Sequence, residues 1–173
     1  MKFNIPNSLT LVRILLIPII VCLFLLSPQG YRTIIFSLFL LATITDYLDG
    51  FFARYMKQVT NFGTFLDPVA DKLLVIITLI LLITENQDIF FLVPVLIIIT
   101  REFLVIAIRQ RLAEAGDNIK LSVLFISKIK TAIQLISLLL LLYKFPLLGI
   151  DIYQLGIHLL QIASLLTLIS FFY

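Results

Sequence analysis

Apolar stretches of close to a membrane's width recur along this chain at 9–26, 31–52, 65–84, 89–108, 122–143 and 152–172. About 20 apolar residues are what one α-helix needs to cross the hydrocarbon of a bilayer. In lipid a spanning backbone satisfies its own polar groups only as a helix or a closed barrel. The spacing therefore predicts an all-α integral membrane protein of about six transmembrane helices. Composition agrees: the 173 residues are 61% hydrophobic with a mean hydropathy of +1.15, too little polar surface for a water-soluble globule of that length. No repeat, linker or low-complexity tract divides the sequence, so 1–173 reads as a single membrane domain. The first stretch has no convincing small-residue cleavage site after it and is expected to be retained as a helix.

Charge placement predicts the orientation. Under a six-helix reading Lys2, Arg13, Arg54, Lys57, Lys72, Arg101, Arg109, Arg111, Lys120, Lys128 and Lys130 fall on one side, and only Arg32 and Lys144 on the other. Basic residues mark the cytoplasmic side, so both termini are expected there. The turn after the third span carries Glu85 and Asp88 and no base, as an outer turn should. A net charge of +3 spread among apolar spans forms no continuous basic face, which argues against a nucleic-acid partner. Cys22, alone in an apolar run, can form no internal disulfide. The polar segment 110–121 reads as a cytoplasmic loop with one helical turn.

Four acids contradict this apolar background. Asp46 and Asp49 stand near the cytoplasmic end of the second span, and Asp67 and Asp71 near the start of the third. Ionised carboxylates close to hydrocarbon cost at least a few kcal/mol each, so such a cluster marks a functional site. Asp46, Asp49, Gly50, Ala53 and Arg54 share one stripe of a helix, which thus offers two carboxylates, a bare backbone, a methyl group and a guanidinium. Gly50 and Ala53 remove bulk where a ligand must approach, and Arg54 presents a planar fork suited to phosphate. After a turn expected at Asn61 and Gly63, Asp67 and Asp71 are again one helical turn apart. Four hard oxygen ligands from two helices suit two divalent cations, Mg²⁺ or Mn²⁺, with substrate phosphates and waters completing the shell. No Cys or His cluster competes for a metal; His158, alone in the last span, is expected to be a packed or outer-side residue.

The full pattern, DxxDGxxAR, eight residues, then GxxxDxxxD, matches the signature of the CDP-alcohol phosphotransferase family at every fixed position, and the chain resembles that family. The N-terminal FNIPNSLTLVRILLIP and the segments FLDPVADK, TREFLVIAIR and SKIKT are similar to those of members that make phosphatidylglycerophosphate. The resemblance implies transfer of a phosphatidyl group from CDP-diacylglycerol to sn-glycerol 3-phosphate, with release of CMP, by a homodimer in the cell membrane whose active site faces the cytoplasm. By position it makes Asp46, Asp49, Asp67 and Asp71 metal ligands and Asp71 also the general base on the attacking hydroxyl. Gly50, Arg54 and Thr60 match positions that contact the CDP moiety, and Asn7 and Thr10, at the entry to the first helix, are expected to close over it.

A small dianionic acceptor needs cations, and Arg101, Arg109, Lys128 and Lys130 are the candidates. Arg101 and Arg109 lie two helical turns apart on about one face, and Lys128 and Lys130 approach from the next span. The signature reads the CDP half of the reaction, so inositol phosphate, serine or phosphatidylglycerol are alternative acceptors. A cation or proton transporter would also place acids in a membrane. The outer halves of the spans, however, carry no polar relay.

Overall fold

A computed structural model describes residues 5–27, 29–56, 61–114, 125–146, 149 and 151–170; side chains are described for 10–27, 29–45, 69–108, 111, 129–146, 149 and 151–170. Among these residues the structure is all-helical: α1 (Ile5–Leu26), α2 (Arg32–Met56), α3 (Asn61–Glu85), α4 (Ile89–Glu114), α5 (Phe125–Tyr143) and α6 (Ile152–Ile169). Each helix occupies one of the apolar stretches. Ile89–Ile108 and Ile152–Ile169 are long and apolar enough to cross a membrane, and Thr10–Leu26, Arg32–Thr45 and Ile129–Tyr143 are shorter apolar helices.

Three boundaries differ from the sequence reading. α1 begins at Ile5, ahead of the apolar stretch, so Asn7 falls in its first turn and Thr10 in its second. Pro6, in the first turn, is where proline is tolerated because its missing N–H would have no helical partner. Asn61 and Gly63, expected in a turn, belong to α3. α4 continues past the apolar stretch through Gln110 to Glu114, so the helical turn expected in the polar segment is the last turn of α4.

The chain forms two compact units, Met1–Leu82 and Ile83–Tyr173. In the first, α1 packs on α2. α1 buries Thr10, Arg13, Ile17, Ile20 and Phe24, a stripe with three- and four-residue steps, and α2 buries Arg32, Ile35, Phe39 and Ala42 in the same rhythm. In the second, α6 packs on both α4 and α5. α4 contributes Phe91, Val95, Ile98 and Glu102 to that core, while Leu96, Phe103 and Leu104 on its other faces stay exposed. Helices apolar on their outward faces too are those whose surroundings are lipid or further protein. Cys22 and His158 are both exposed.

α5 and α6 approach closely at Gly156, where a β-carbon would lie 2.9 Å from Leu141 Cγ and 3.2 Å from the Leu141 backbone nitrogen. Ser137 Oγ donates to the Gly156 carbonyl across the same contact at 2.8 Å. At the far end of α5, Lys144 adopts φ 55°, the left-handed conformation that often ends a helix. Its Nζ lies 3.2 Å from Glu85 Oε2 and 4.7 Å from the Tyr153 ring centroid. Tyr153 in turn accepts from Asn86 Nδ2 at 3.0 Å, and Asp151 caps α6 by accepting from Tyr153 N and Gln154 N. One polar cluster thus ties the ends of α3 and α5 to the start of α6.

Pro94 interrupts α4 without a matching loss of hydrogen bonding. Proline has no N–H, so the carbonyl four residues earlier, on Phe90, loses its helical donor. Gln161 Nε2 on α6 donates to that oxygen at 3.2 Å. Gln161→Leu should therefore lower stability by about 0.5–1.5 kcal/mol, the usual net contribution of one intramolecular hydrogen bond. Adding Pro94→Ala, which restores a helical N–H, should recover most of the loss. Thermal unfolding in detergent checks both, and an unchanged midpoint in Gln161→Leu refutes the compensation.

Candidate functional site

The acidic motif is built on two helices. Asp46, Asp49, Gly50 and Arg54 fall on one continuous helix, α2, and Asp67 and Asp71 on α3, each acid pair about one turn apart. The side chains of Asp46, Asp49, Arg54 and Asp67, like that of Asn7, lie outside the described residues, as does all of Thr60.

Asp71 is the motif acid whose side chain is described, and its partner was not foreseen. The Arg13 guanidinium of α1 donates to Asp71 Oδ1. Arg13 has no exposed side-chain surface, whereas the Asp71 side chain is 38% exposed. The sequence reading used Arg13 only as a charge that sets topology; here it is a buried support under an accessible carboxylate. Its place on the stripe with Thr10, Ile17 and Ile20 was the available signal, because a cation on a helix's buried face needs a partner inside. Thr10, one turn earlier, is also fully buried, which places it among packed groups beside Arg13.

Among the described residues no group of three or more His, Cys, Asp or Glu side chains could hold a metal. The donor set of the motif nonetheless fits a hard divalent cation, being all carboxylate oxygen. The Arg13 contact is compatible with that role, since a carboxylate has about four lone-pair sites and can take a guanidinium and a metal together.

The candidate acceptor cations are distributed over α4 and α5. Arg101 and Arg109 are both on α4, and Lys128 and Lys130 both on α5; the side chains of Arg109 and Lys128 lie outside the described residues. Arg101 and Lys130 are brought together by Glu102. Lys130 Nζ donates to Glu102 Oε1 at 2.9 Å, and Arg101 Nη1 approaches the same oxygen at 3.4 Å. Glu102 and Lys130 are buried, at 2% and 3% side-chain exposure. Glu102, directly after Arg101 in the chain, stands where an acid can orient a basic neighbour, and it contacts both Arg101 and Lys130.

This assembly of helices and motif residues matches a known family. The family model described as CDP-alcohol phosphatidyltransferase covers residues 3–171, and the chain belongs to that family. Among curated relatives, a protein of Wigglesworthia glossinidia brevipalpis is 40% identical over 173 residues, all of this chain and 95% of the relative. Proteins of Haemophilus influenzae and Salmonella choleraesuis are each 41% identical over 171 residues, 98% of this chain and 90% and 92% of theirs. All three are named CDP-diacylglycerol--glycerol-3-phosphate 3-phosphatidyltransferase.

Proposed function

We propose that this chain transfers the phosphatidyl group of CDP-diacylglycerol to the free primary hydroxyl of sn-glycerol 3-phosphate, giving phosphatidylglycerophosphate and CMP. The observation that carries the reading is full-length similarity to relatives named for that reaction, combined with an intact carboxylate motif.

Asp71, accessible and anchored by Arg13, takes the proton of the attacking hydroxyl. The new oxygen–phosphorus bond forms at the phosphatidyl phosphorus as the bond to CMP breaks. Gly50 lets the nucleotide approach the α2 backbone, Arg54 offers its fork to phosphate, and Asn7, Thr10 and Thr60 complete the CDP contacts. Asp46, Asp49, Asp67 and Asp71 would hold two divalent cations, Mg²⁺ or Mn²⁺, whose charge offsets that of the diphosphate and of the departing CMP. Arg101, Arg109, Lys128 and Lys130 bind the acceptor's phosphate.

The chain is read as a multi-pass protein of the cell membrane with six spans, both termini and the active site on the cytoplasmic side. The supports are six helices in register with six apolar stretches and the one-sided distribution of bases. The family resemblance supports a homodimer.

An acceptor screen tests the assignment. Purified protein in detergent should release CMP from CDP-diacylglycerol with glycerol 3-phosphate, lose the activity to a chelator and regain it with Mg²⁺ or Mn²⁺. Turnover with serine, inositol phosphate or phosphatidylglycerol, but not with glycerol 3-phosphate, would reject it.

A further inference from the structure

Arg101, Glu102, Lys130 and Ser170 come from α4, α5 and the C-terminal cap of α6, and their hydrogen bonds form a directed chain. Glu102 Oε1 accepts from Lys130 Nζ at 2.9 Å and from Arg101 Nη1 at 3.4 Å. On the other side of the guanidinium, Arg101 Nη2 donates to Ser170 Oγ at 3.2 Å. The Ser170 hydroxyl spends its single proton on the Thr167 carbonyl at 3.0 Å, so it meets Arg101 only as an acceptor. Both terminal nitrogens of Arg101 are thus held, one by Glu102 and one by Ser170.

The remaining nitrogen is the informative one. Arg101 Nε is buried and has no hydrogen-bond partner, while the side chain as a whole keeps 13% of its surface exposed. A buried donor without an acceptor is destabilising. The exposed part of the side chain, and not the Nε atom, is where an anion can arrive. A guanidinium whose two terminal nitrogens are fixed presents its remaining N–H groups to a phosphate in a set orientation. A carboxylate placed only to neutralise Lys130 would not require Arg101 to be pinned by a serine on a third helix.

We propose that Glu102 and Ser170 are positioning residues for the acceptor: they lock Arg101 and Lys130 in the orientation that receives its phosphate. This rests on the reading of Arg101 and Lys130 as acceptor-phosphate ligands.

The test uses the full chain in detergent, with kcat and both KM values measured for Ser170→Ala, Ser170→Thr, Glu102→Gln and Arg101→Ala. Ser170→Ala should raise the KM for glycerol 3-phosphate by ~3–10-fold, the loss of one hydrogen bond's worth of orientation. kcat and the KM for CDP-diacylglycerol should stay within about twofold. Ser170→Thr, which keeps the hydroxyl, should behave as the parent. Glu102→Gln should raise the same KM by ~10-fold or more, since the bonds it weakens are charge-assisted. Should Glu102→Gln fail to fold, Ser170→Ala still decides the question. If Arg101→Ala raises the acceptor KM while Ser170→Ala and Glu102→Gln do not, the positioning role is wrong and the phosphate site stands. An Arg101→Ala protein with an unchanged acceptor KM overturns the phosphate reading itself. A fall in kcat and melting temperature without a selective KM change would reduce Glu102 and Ser170 to packing elements and overturn the proposal.

Discussion

Asp71→Asn should reduce turnover by about 10²–10⁴-fold, the range over which a positioned general base contributes. Asparagine keeps the shape and one acceptor oxygen, so the bond from Arg13 can survive, but it cannot take a proton from the acceptor hydroxyl. Nucleotide binding should be weakened only in part, because three motif carboxylates remain. Asp46→Asn should behave differently, lowering metal-dependent binding of CDP along with turnover. Measuring kcat by CMP release and CDP affinity by titration, with and without added Mg²⁺, separates the two variants. Near-normal and equal activity in both would end the division of labour between base and metal ligand. Stability should be followed in parallel, since removing the Asp71 charge leaves the fully buried Arg13 facing a neutral amide.

The carboxylate motif was legible in the sequence because its chemistry lies in local spacing: acids one turn apart on a helix share a face whatever the helix packs against. The helices were legible for a similar reason, since each coincides with an apolar run of spanning length. Two of the misplaced boundaries share one cause. Hydropathy follows lipid contact and not helicity, so α1 extends back over polar Asn7 and Ser8 to Ile5, and α4 extends forward over Arg109 to Glu114. Arg, Gln, Leu, Ala and Glu are all strong helix formers, and propensity was the better guide there. Asn61 and Gly63 are residue types common in turns, yet one opens α3 and the other lies in its first turn, where turn and helix-start chemistry overlap. What local spacing could not reveal was partnership between helices. Arg13 with Asp71 spans 58 residues of sequence, and Lys130 with Glu102 spans 28. A base in an apolar helix looks the same to a charge count whether it faces the cytoplasm or an acid. Only packing distinguishes them.

Arg13→Met should be the most damaging change outside the acidic motif. Methionine fills much of the buried volume but leaves Asp71 without the guanidinium that fixes its direction, and a base misplaced by about 1 Å can lose ~10²-fold in rate. We expect a kcat drop of that order with a smaller change in either KM. The stability cost should be modest, about 1–2 kcal/mol, below the ~3–5 kcal/mol typical of breaking a fully buried pair, because solvent reaches the Asp71 side chain and screens it. Arg13→Lys should recover charge without the planar fork, and hence only part of the rate. A double-mutant cycle gives the sharper measurement. If Arg13 acts through Asp71, combining Arg13→Met with Asp71→Asn should cost far less in kcat than the sum of the two separate losses, since a base already removed cannot be misdirected. Fully additive losses would mean that Arg13 serves the reaction by another route, and a native kcat in Arg13→Met would mean that it serves only the packing of α1.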